Sequence, residues 1–312
     1  MQDLKNTKIL LTGGNGFLGN KVYQELIKAG AKEKNISRPR SKKLDLRSFL
    51  NAQKAVKGNH IVIHLAANVG GIGYNQKNPG QLFYDNLIMG VNLIEASRLA
   101  KVKKFVQIGT VCAYPKFPKH IPFQEGDLWH GYPEETNAPY GIAKLALLQM
   151  LQAYRTEYNF NGIYLLPTNL YGPGDNFKPE SSHVIPALIK KFIEAKENNY
   201  NQVEVWGTGK ASREFLYVDD AARAIVKAIL KYNKPEPINL GSAYEIKIKD
   251  LVERIAKLTD YKGKIVWDKT KPDGQPRRKL DVKMAKKELA FVSKIKFDKG
   301  LKTTIKWYLE NK

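Results

Sequence analysis

A single cysteine, Cys112, occurs in 312 residues, so no intramolecular disulfide can form and the thiol is free for chemistry. Acidic residues are scarce: 30 Asp and Glu stand against 52 Lys and Arg, a formal charge of +22. Such an excess favours phosphate-bearing partners, nucleic acid among them. The lysines, however, run from Lys5 to Lys312 interleaved with acids, and the densest clusters are Arg38-Pro39-Arg40-Ser41-Lys42-Lys43 and Arg277-Arg278-Lys279. That distribution describes a solvated basic surface, not a nucleic-acid groove, and leaves the two arginine clusters to anionic small molecules. No apolar run reaches the roughly 18 residues of a membrane span, and no basic-apolar-small leader precedes Lys8, so a cytoplasmic protein without membrane contact is expected. Repeats, low-complexity tracts and long linkers are missing too. His60, His64, His120 and His130 lack ligand spacing, so no metal site is expected.

What is present is an alternation. Residues 8–11, 61–65, 105–108 and 163–166 are continuous apolar runs, the mark of strands buried on both faces. Helical patterns at 16–28, 80–99 and 140–158 separate them. The fold expected is α/β, a Rossmann-type doubly wound parallel sheet with a smaller C-terminal α/β lobe. The change comes after Pro167, at the turn-rich Tyr171-Gly172-Pro173-Gly174, followed by a helix near 184–197 and a strand near 203–206. A helix at 218–230 and a strand at 237–240 return to the sheet, while 250–258 and 301–309 belong mainly to the smaller lobe. The expected division is 1–168 with 218–240 for a cofactor, and 169–217 with 241–312 for a substrate.

The first strand runs into Thr12-Gly13-Gly14-Asn15-Gly16-Phe17-Leu18-Gly19 and then a helix. Glycines there let the backbone approach a pyrophosphate held at the helix N-terminus. A structural turn uses the same glycines; the position after the first strand is what points to a dinucleotide. NAD sites often carry an acid at the end of the second strand, to bind ribose hydroxyls. This chain offers Arg38 and Arg40, which suit an added ribose phosphate and so favour NADPH, although a surface pair reads alike. Asp45 and Leu46 then flank the adenine, and Ala66 and Ala67 lie along the cofactor.

Tyr140 and Lys144 are four residues apart, one helical turn, so phenol and ammonium project from one face. A free phenol, with a pKa of about 10, is a poor acid-base group at neutral pH; each unit of lowering takes about 1.4 kcal/mol. The Lys144 charge is the expected source. Such a tyrosine trades protons with a sugar hydroxyl or ketone.

The glycine loop, the Thr110 region and the Tyr140-Lys144 pair resemble the extended short-chain dehydrogenase/reductase family, where Ser/Thr, Tyr and Lys assist hydride exchange between a sugar carbon and a nicotinamide. Further stretches are similar to its members acting on GDP-4-keto-6-deoxy sugars: Cys112-Ala113-Tyr114-Pro115-Lys116, residues 135–140, Pro167-Thr168-Asn169-Leu170-Tyr171, Ser182-His183-Val184, Arg213-Glu214-Phe215 and Lys271-Pro272-Asp273-Gly274. The resemblance implies that NADPH is held by Gly13, Asn15, Gly16, Phe17, Leu18, Gly19, Pro167 and Leu170 besides Tyr140 and Lys144. It implies a GDP-sugar substrate held by Asn169, His183, Lys191, Trp206, Arg213 and Arg278. Trp206 fits a core position equally well.

Related dehydratases carry Asp-Glu after the threonine, for removing water. Val111 and Cys112 stand there instead. By resemblance Cys112 is the base and His183 the acid that exchange protons at C3 and C5, and Tyr140 with Thr110 then serves reduction at C4. Taken singly, Cys112 also fits a small buried apolar residue and His183 a loop residue bonded to backbone. The chain departs from the family at Lys191, where arginine is usual, at Thr110-Val111, where serines are paired, and at 127–133. The last departure leaves the exact hexose or heptose open; the rival readings are a C4 reductase or 4-epimerase of another nucleotide sugar, and a silent NADPH-binding sensor, against which the intact Thr110, Tyr140 and Lys144 set counts. The family also implies a homodimer through helices that include the Tyr140 helix.

Overall fold

The computed structural model describes residues 4–312; residues 1–3, where the first expected segment begins, lie outside the described residues. In chain order the elements are β1 (Ile9–Thr12), α1 (Phe17–Lys28), β2 (Ile36–Ser37), α2 (Phe49–Val56), β3 (Ile61–His64), α3 (Ile72–Lys77), α4 (Pro79–Leu99), β4 (Lys104–Ile108), α5 (Ala138–Tyr158), β5 (Gly162–Pro167) and β6 (Asn169–Tyr171). They continue as α6 (Val184–Glu197), β7 (Gln202–Trp206), β8 (Ser212–Tyr217), α7 (Val218–Lys231), β9 (Ile238–Leu240), β10 (Glu245–Lys247), α8 (Ile248–Thr259), β11 (Lys264–Asp268), β12 (Arg277–Arg278), α9 (Lys283–Leu289) and α10 (Phe297–Asn311).

Six strands form a parallel sheet in the order β2-β1-β3-β4-β5-β9. Strand pleating sends alternate side chains to opposite faces. Ile9, Leu11, Ile61, Ile63, Val106 and Ile163 pack on one face with α1 and α7; Leu10, Val62, Phe105, Tyr164 and Leu166 pack on the other with α2, α4 and α5. Both faces are therefore dry, which explains the unbroken apolar runs. The strand order reverses beside β1, and a crevice opens there at the carboxyl ends of the strands, the usual ligand position in open α/β sheets.

The smaller unit has its own core around α6, α8 and α10, capped by Phe192, Ile255 and Leu301. Its sheet centres on β8, which pairs with β6, β10 and β12. Nothing in the pattern of 212–217 announces a strand, because Arg213 and Glu214 are both buried in it. The Glu214 carboxylate is satisfied by the N–H groups of Ala243 and Leu280, each at 2.7 Å. Residues after 240 do not all stay in this unit: Ala285, Leu289 and Phe291 pack into the core beneath the six-stranded sheet. They supply apolar cover for α7 and β9 that the shorter second half of the sheet lacks. No helix among the described residues is long and apolar enough to cross a membrane.

Candidate active site

A cavity of about 1730 Å³ runs from the glycine loop, across the ends of β1, β3 and β4, to the start of α6, β7 and residues 272–278. The loop is built for close approach. Gly13 has φ +68°, and a Cβ there would stand 2.7 Å from the Ala66 nitrogen. Gly16 precedes α1, which has no side-chain cap and no acid in its first turn, so no side chain claims the first N–H groups of a helix whose start lines the cavity. That is the donor set a pyrophosphate takes, and the residues present fit a dinucleotide. Asn15, Phe17, Leu18 and Gly19 line the same end, with Arg40, Asp45, Leu46, Ala66 and Ala67; Pro167 and Leu170 line it from β5 and β6. Arg38 is not in the wall. Its guanidinium stacks 3.7 Å over the Tyr23 ring, beside Gly14. Asp45 is engaged by Arg47 at 2.8 Å, whose side-chain hydrogen bonds hold the carboxyl below its ordinary range.

The middle of the cavity carries the proton-handling groups. After β4 the chain turns at Thr110, whose Oγ1 accepts from the Cys112 N–H at 3.1 Å and so sets the short turn 111–113. Tyr140 and Lys144 do share a face of α5, with the ammonium 5.9 Å from the centre of the tyrosine ring. The electrostatics run against the expected direction, however. Burial and the neighbouring Cys112 push the Tyr140 phenol well up, against a smaller opposite effect of Thr110, and Lys144 does not enter. Desolvation outweighs a charge at that distance. Lys144 is itself fully enclosed, and burial pushes it down from 10.5 to about 8. Beneath it His64 is kept neutral by burial and by the Lys144 charge, its Nδ1 2.8 Å from Thr12 Oγ1.

His183 sits just before α6 and faces the cavity. Surrounding protein and the Arg278 charge push its imidazole below the ordinary value. Cys112 lines the same cavity, so the two groups expected to exchange protons at carbon are brought into one space. Arg278, expected at the nucleotide, is found at this end: Nη1 lies 3.7 Å from Cys112 Sγ and Nε donates to Gln275 Oε1 at 3.0 Å.

The far end is walled by the remaining substrate candidates. Asn169 donates to the Glu214 carbonyl at 2.9 Å, and Lys191 to the Glu204 carbonyl at 3.1 Å. Trp206 is 47% exposed and lines the cavity under Lys271, which settles it as a wall residue instead of core. Arg213 is buried and donates to the carbonyls of Ser212, Gln275 and Asp273. Burial and Arg278 pull it below its ordinary value, and the carbonyls hold it as a cation.

Residues 9–241 match the NAD dependent epimerase/dehydratase family. The chain belongs to that family. Among its relatives, GDP-L-fucose synthase 1 of Arabidopsis thaliana is 40% identical over 98% of this chain and 94% of its own. Among solved structures, a GDP-6-OMe-4-keto-L-xylo-heptose reductase from C. jejuni superposes with TM-score 0.91 at 28% identity, covering 100% of this chain and 99% of that one. A GDP-L-fucose synthetase from Naegleria fowleri bound to NADP gives TM-score 0.88 at 28% identity, covering 100% and 96%.

Several groups of this epimerase/dehydratase site escape sequence reasoning. Asp175 lines the cavity, and burial pushes its carboxyl up to about 7. Asn137 lines the cavity beside Cys112, with Glu134 bonded to its amide from outside the wall; an asparagine directly before a helix reads as a cap, which hides any other use.

Proposed function

We propose that the chain converts GDP-4-keto-6-deoxy-D-mannose to GDP-L-fucose, by epimerisation at C3 and C5 and then NADPH-dependent reduction at C4. The observation that carries this is the meeting of Cys112 and His183 with Thr110 and Tyr140 in one cavity that begins at a dinucleotide loop. Epimerisation needs two groups able to remove and return a proton, and a plain reductase needs neither.

Bound NADPH supplies the hydride for C4. Gly13, Gly16 and the first turn of α1 would hold its pyrophosphate, Arg40 its ribose phosphate, and Lys144 its nicotinamide ribose, while Arg38 stays stacked on Tyr23. At the sugar, Cys112 as its thiolate takes the proton from C3 and protonated His183 returns one on the opposite face; the thiol then gives its proton to solvent and the imidazole takes one up before the same exchange at C5. The protons at C3 and C5 are acidic only while C4 is a ketone, so exchange precedes reduction. Thr110 holds the C4 oxygen and Tyr140 gives it a proton; the upward shift of the phenol keeps that proton in place until the oxygen gains charge. Arg213, Lys191, Asn169 and Trp206 hold the nucleotide diphosphate, while Arg278 serves the sugar end.

In this reading residues up to 168, with 218–240 and the segment around 285–291 that packs beneath the sheet, carry the cofactor, and 169–217 with the rest of 241–312 carry the nucleotide sugar. The enzyme works in the cytoplasm as a homodimer through α4 and α5, where Tyr84, Leu99 and Tyr158 are exposed. Supplying GDP-4-keto-6-deoxymannose and NADPH and following absorbance at 340 nm tests the assignment; no oxidation removes this substrate. A second reading, reduction of a GDP-heptose at C4, is favoured by the close superposition on the heptose reductase. Solvent deuterium separates the two, since only the first reading places label at C3 and C5.

A further inference from the structure

Asn137 stands where a helix-capping side chain is expected and does not cap. It precedes α5 directly, yet its side chain makes no capping bond, which forgoes about 1 kcal/mol that an asparagine cap normally contributes. The amide is turned toward Cys112 instead. Its Oδ1 accepts from the Cys112 thiol at 3.7 Å and from Asn75 Nδ2 at 3.2 Å. Its Nδ2 donates to the Glu134 carboxylate and lies 3.3 Å from Thr136 Oγ1. Glu134 is in turn held by Thr136 Oγ1 at 2.7 Å.

Asn137, Glu134 and Asn75 are all buried, at 8%, 5% and 4% exposure. The carboxylate decides the orientation of the amide: it accepts the NH₂ and repels the carbonyl, so the flipped amide is disfavoured. The thiol proton is thereby directed at a carbonyl of the protein. Arg278 Nη1 also lies 3.7 Å from the sulfur, and Tyr140 neighbours it.

We propose that Asn137 is a positioning residue for epimerisation: from the cavity wall its amide, oriented by Glu134, fixes the Cys112 thiol and acts on the reaction through it. The proposal rests on the epimerase-reductase reading above. It accounts for a buried carboxylate and a relinquished cap, neither of which the helix start requires.

Cys112 is the only cysteine of the chain, so alkylation by iodoacetamide reads its surroundings without any substrate. Asn137→Ser keeps a good cap and removes the amide; Glu134→Gln keeps an acceptor for the amide, and Glu134→Ala does not. Asn137→Ser and Glu134→Ala are expected to raise the alkylation rate at neutral pH about fivefold, the equivalent of one ordinary hydrogen bond, because the carbonyl facing the sulfur is lost or free to turn. Glu134→Gln should stay near wild type. With GDP-4-keto-6-deoxymannose and NADPH, the first two variants should shift the product from the epimerised sugar toward one reduced at C4 with C3 and C5 unchanged. Wild-type alkylation and a wild-type product ratio in Asn137→Ser overturn the proposal. So does a loss of all activity in step with melting temperature at a constant ratio. Should Asn137→Ser not fold, the Glu134→Ala and Glu134→Gln pair decides by the same two readouts. Neither exchange nor reduction in the wild type sinks the substrate assignment, while alkylation still decides whether Asn137 orients the thiol.

Discussion

Tyr140 and Cys112 line one cavity, and the proposed mechanism gives them different half-reactions, so single substitutions should separate them. Tyr140→Phe removes the proton given to the C4 oxygen and should slow NADPH oxidation about 10²- to 10⁴-fold, leaving solvent deuterium uptake at C3 and C5. Cys112→Ser should suppress that uptake and leave reduction of the un-epimerised ketone. The opposite pairing of effects, by mass spectrometry and absorbance, refutes the assignment. Lys144 gives a second prediction, in the protein without ligands. Its folded value of about 8 lies below the ordinary 10.5, so between these values the folded protein binds fewer protons than the unfolded chain. Burial of the charge opposes folding below pH 8, and stability rises as pH climbs toward 10.5. The contribution is about 3 kcal/mol in full. Lys104, pushed down to about 8 by burial, acts in the same direction. Denaturant midpoints between about pH 8 and 9.5 should rise in the wild type and rise less in Lys144→Met; equal slopes count against a buried, proton-shedding lysine.

At the scale of elements, what was legible followed from burial on two sides. The strands at 9–12, 61–64, 104–108 and 162–167 are mostly apolar because helices cover both faces, with Thr12, His64, Lys104 and Gln107 the buried polar exceptions, and their apolar runs find them. β8 was not legible, since a strand that buries Arg213 and Glu214 is stabilised by carbonyls and N–H groups from distant loops, which no local pattern records. The site divides in the same way: Tyr140 comes at a helical spacing from Lys144, and Thr110, Cys112 and His183 in stretches that resemble the family, whereas the lock of Glu134 on the Asn137 amide is visible only once the turn 111–113 lies against α5. That contact makes a prediction. A Cβ at Gly141 would strike the Cys112 carbonyl, with its carbon 2.9 Å away, whereas one at Gly80, in the first turn of α4, meets nothing. Gly141→Ala should cost about 1–3 kcal/mol and depress both half-reactions by moving the Cys112 peptide. Gly80→Ala should be neutral or slightly stabilising. Equal denaturation midpoints for the two variants would mean that helix and turn are not in contact.

At the scale of the whole molecule, the net charge of +22 acts on two polyanions that enter one cavity. Long-range attraction of this kind is screened over about 10 Å at 0.1 M salt, so KM for NADPH and for the GDP-sugar should both rise with ionic strength. A contact made by a particular side chain behaves differently, because it discriminates between cofactors that differ by one phosphate. Arg40 lines the cavity beyond β2 while Arg38 lies folded on Tyr23, so Arg40 is the residue in place to meet the ribose phosphate. Arg40→Ala should therefore raise KM for NADPH about 10-fold or more, the loss of a charge-assisted hydrogen bond, and leave KM for NADH nearly unchanged. Arg38→Ala should do less unless the side chain leaves Tyr23 when cofactor binds. Measured across ionic strength, the wild type should show the steeper salt dependence with NADPH, and Arg40→Ala should bring the two cofactors' slopes together. Parallel slopes in the wild type would place the discrimination elsewhere than in these arginines.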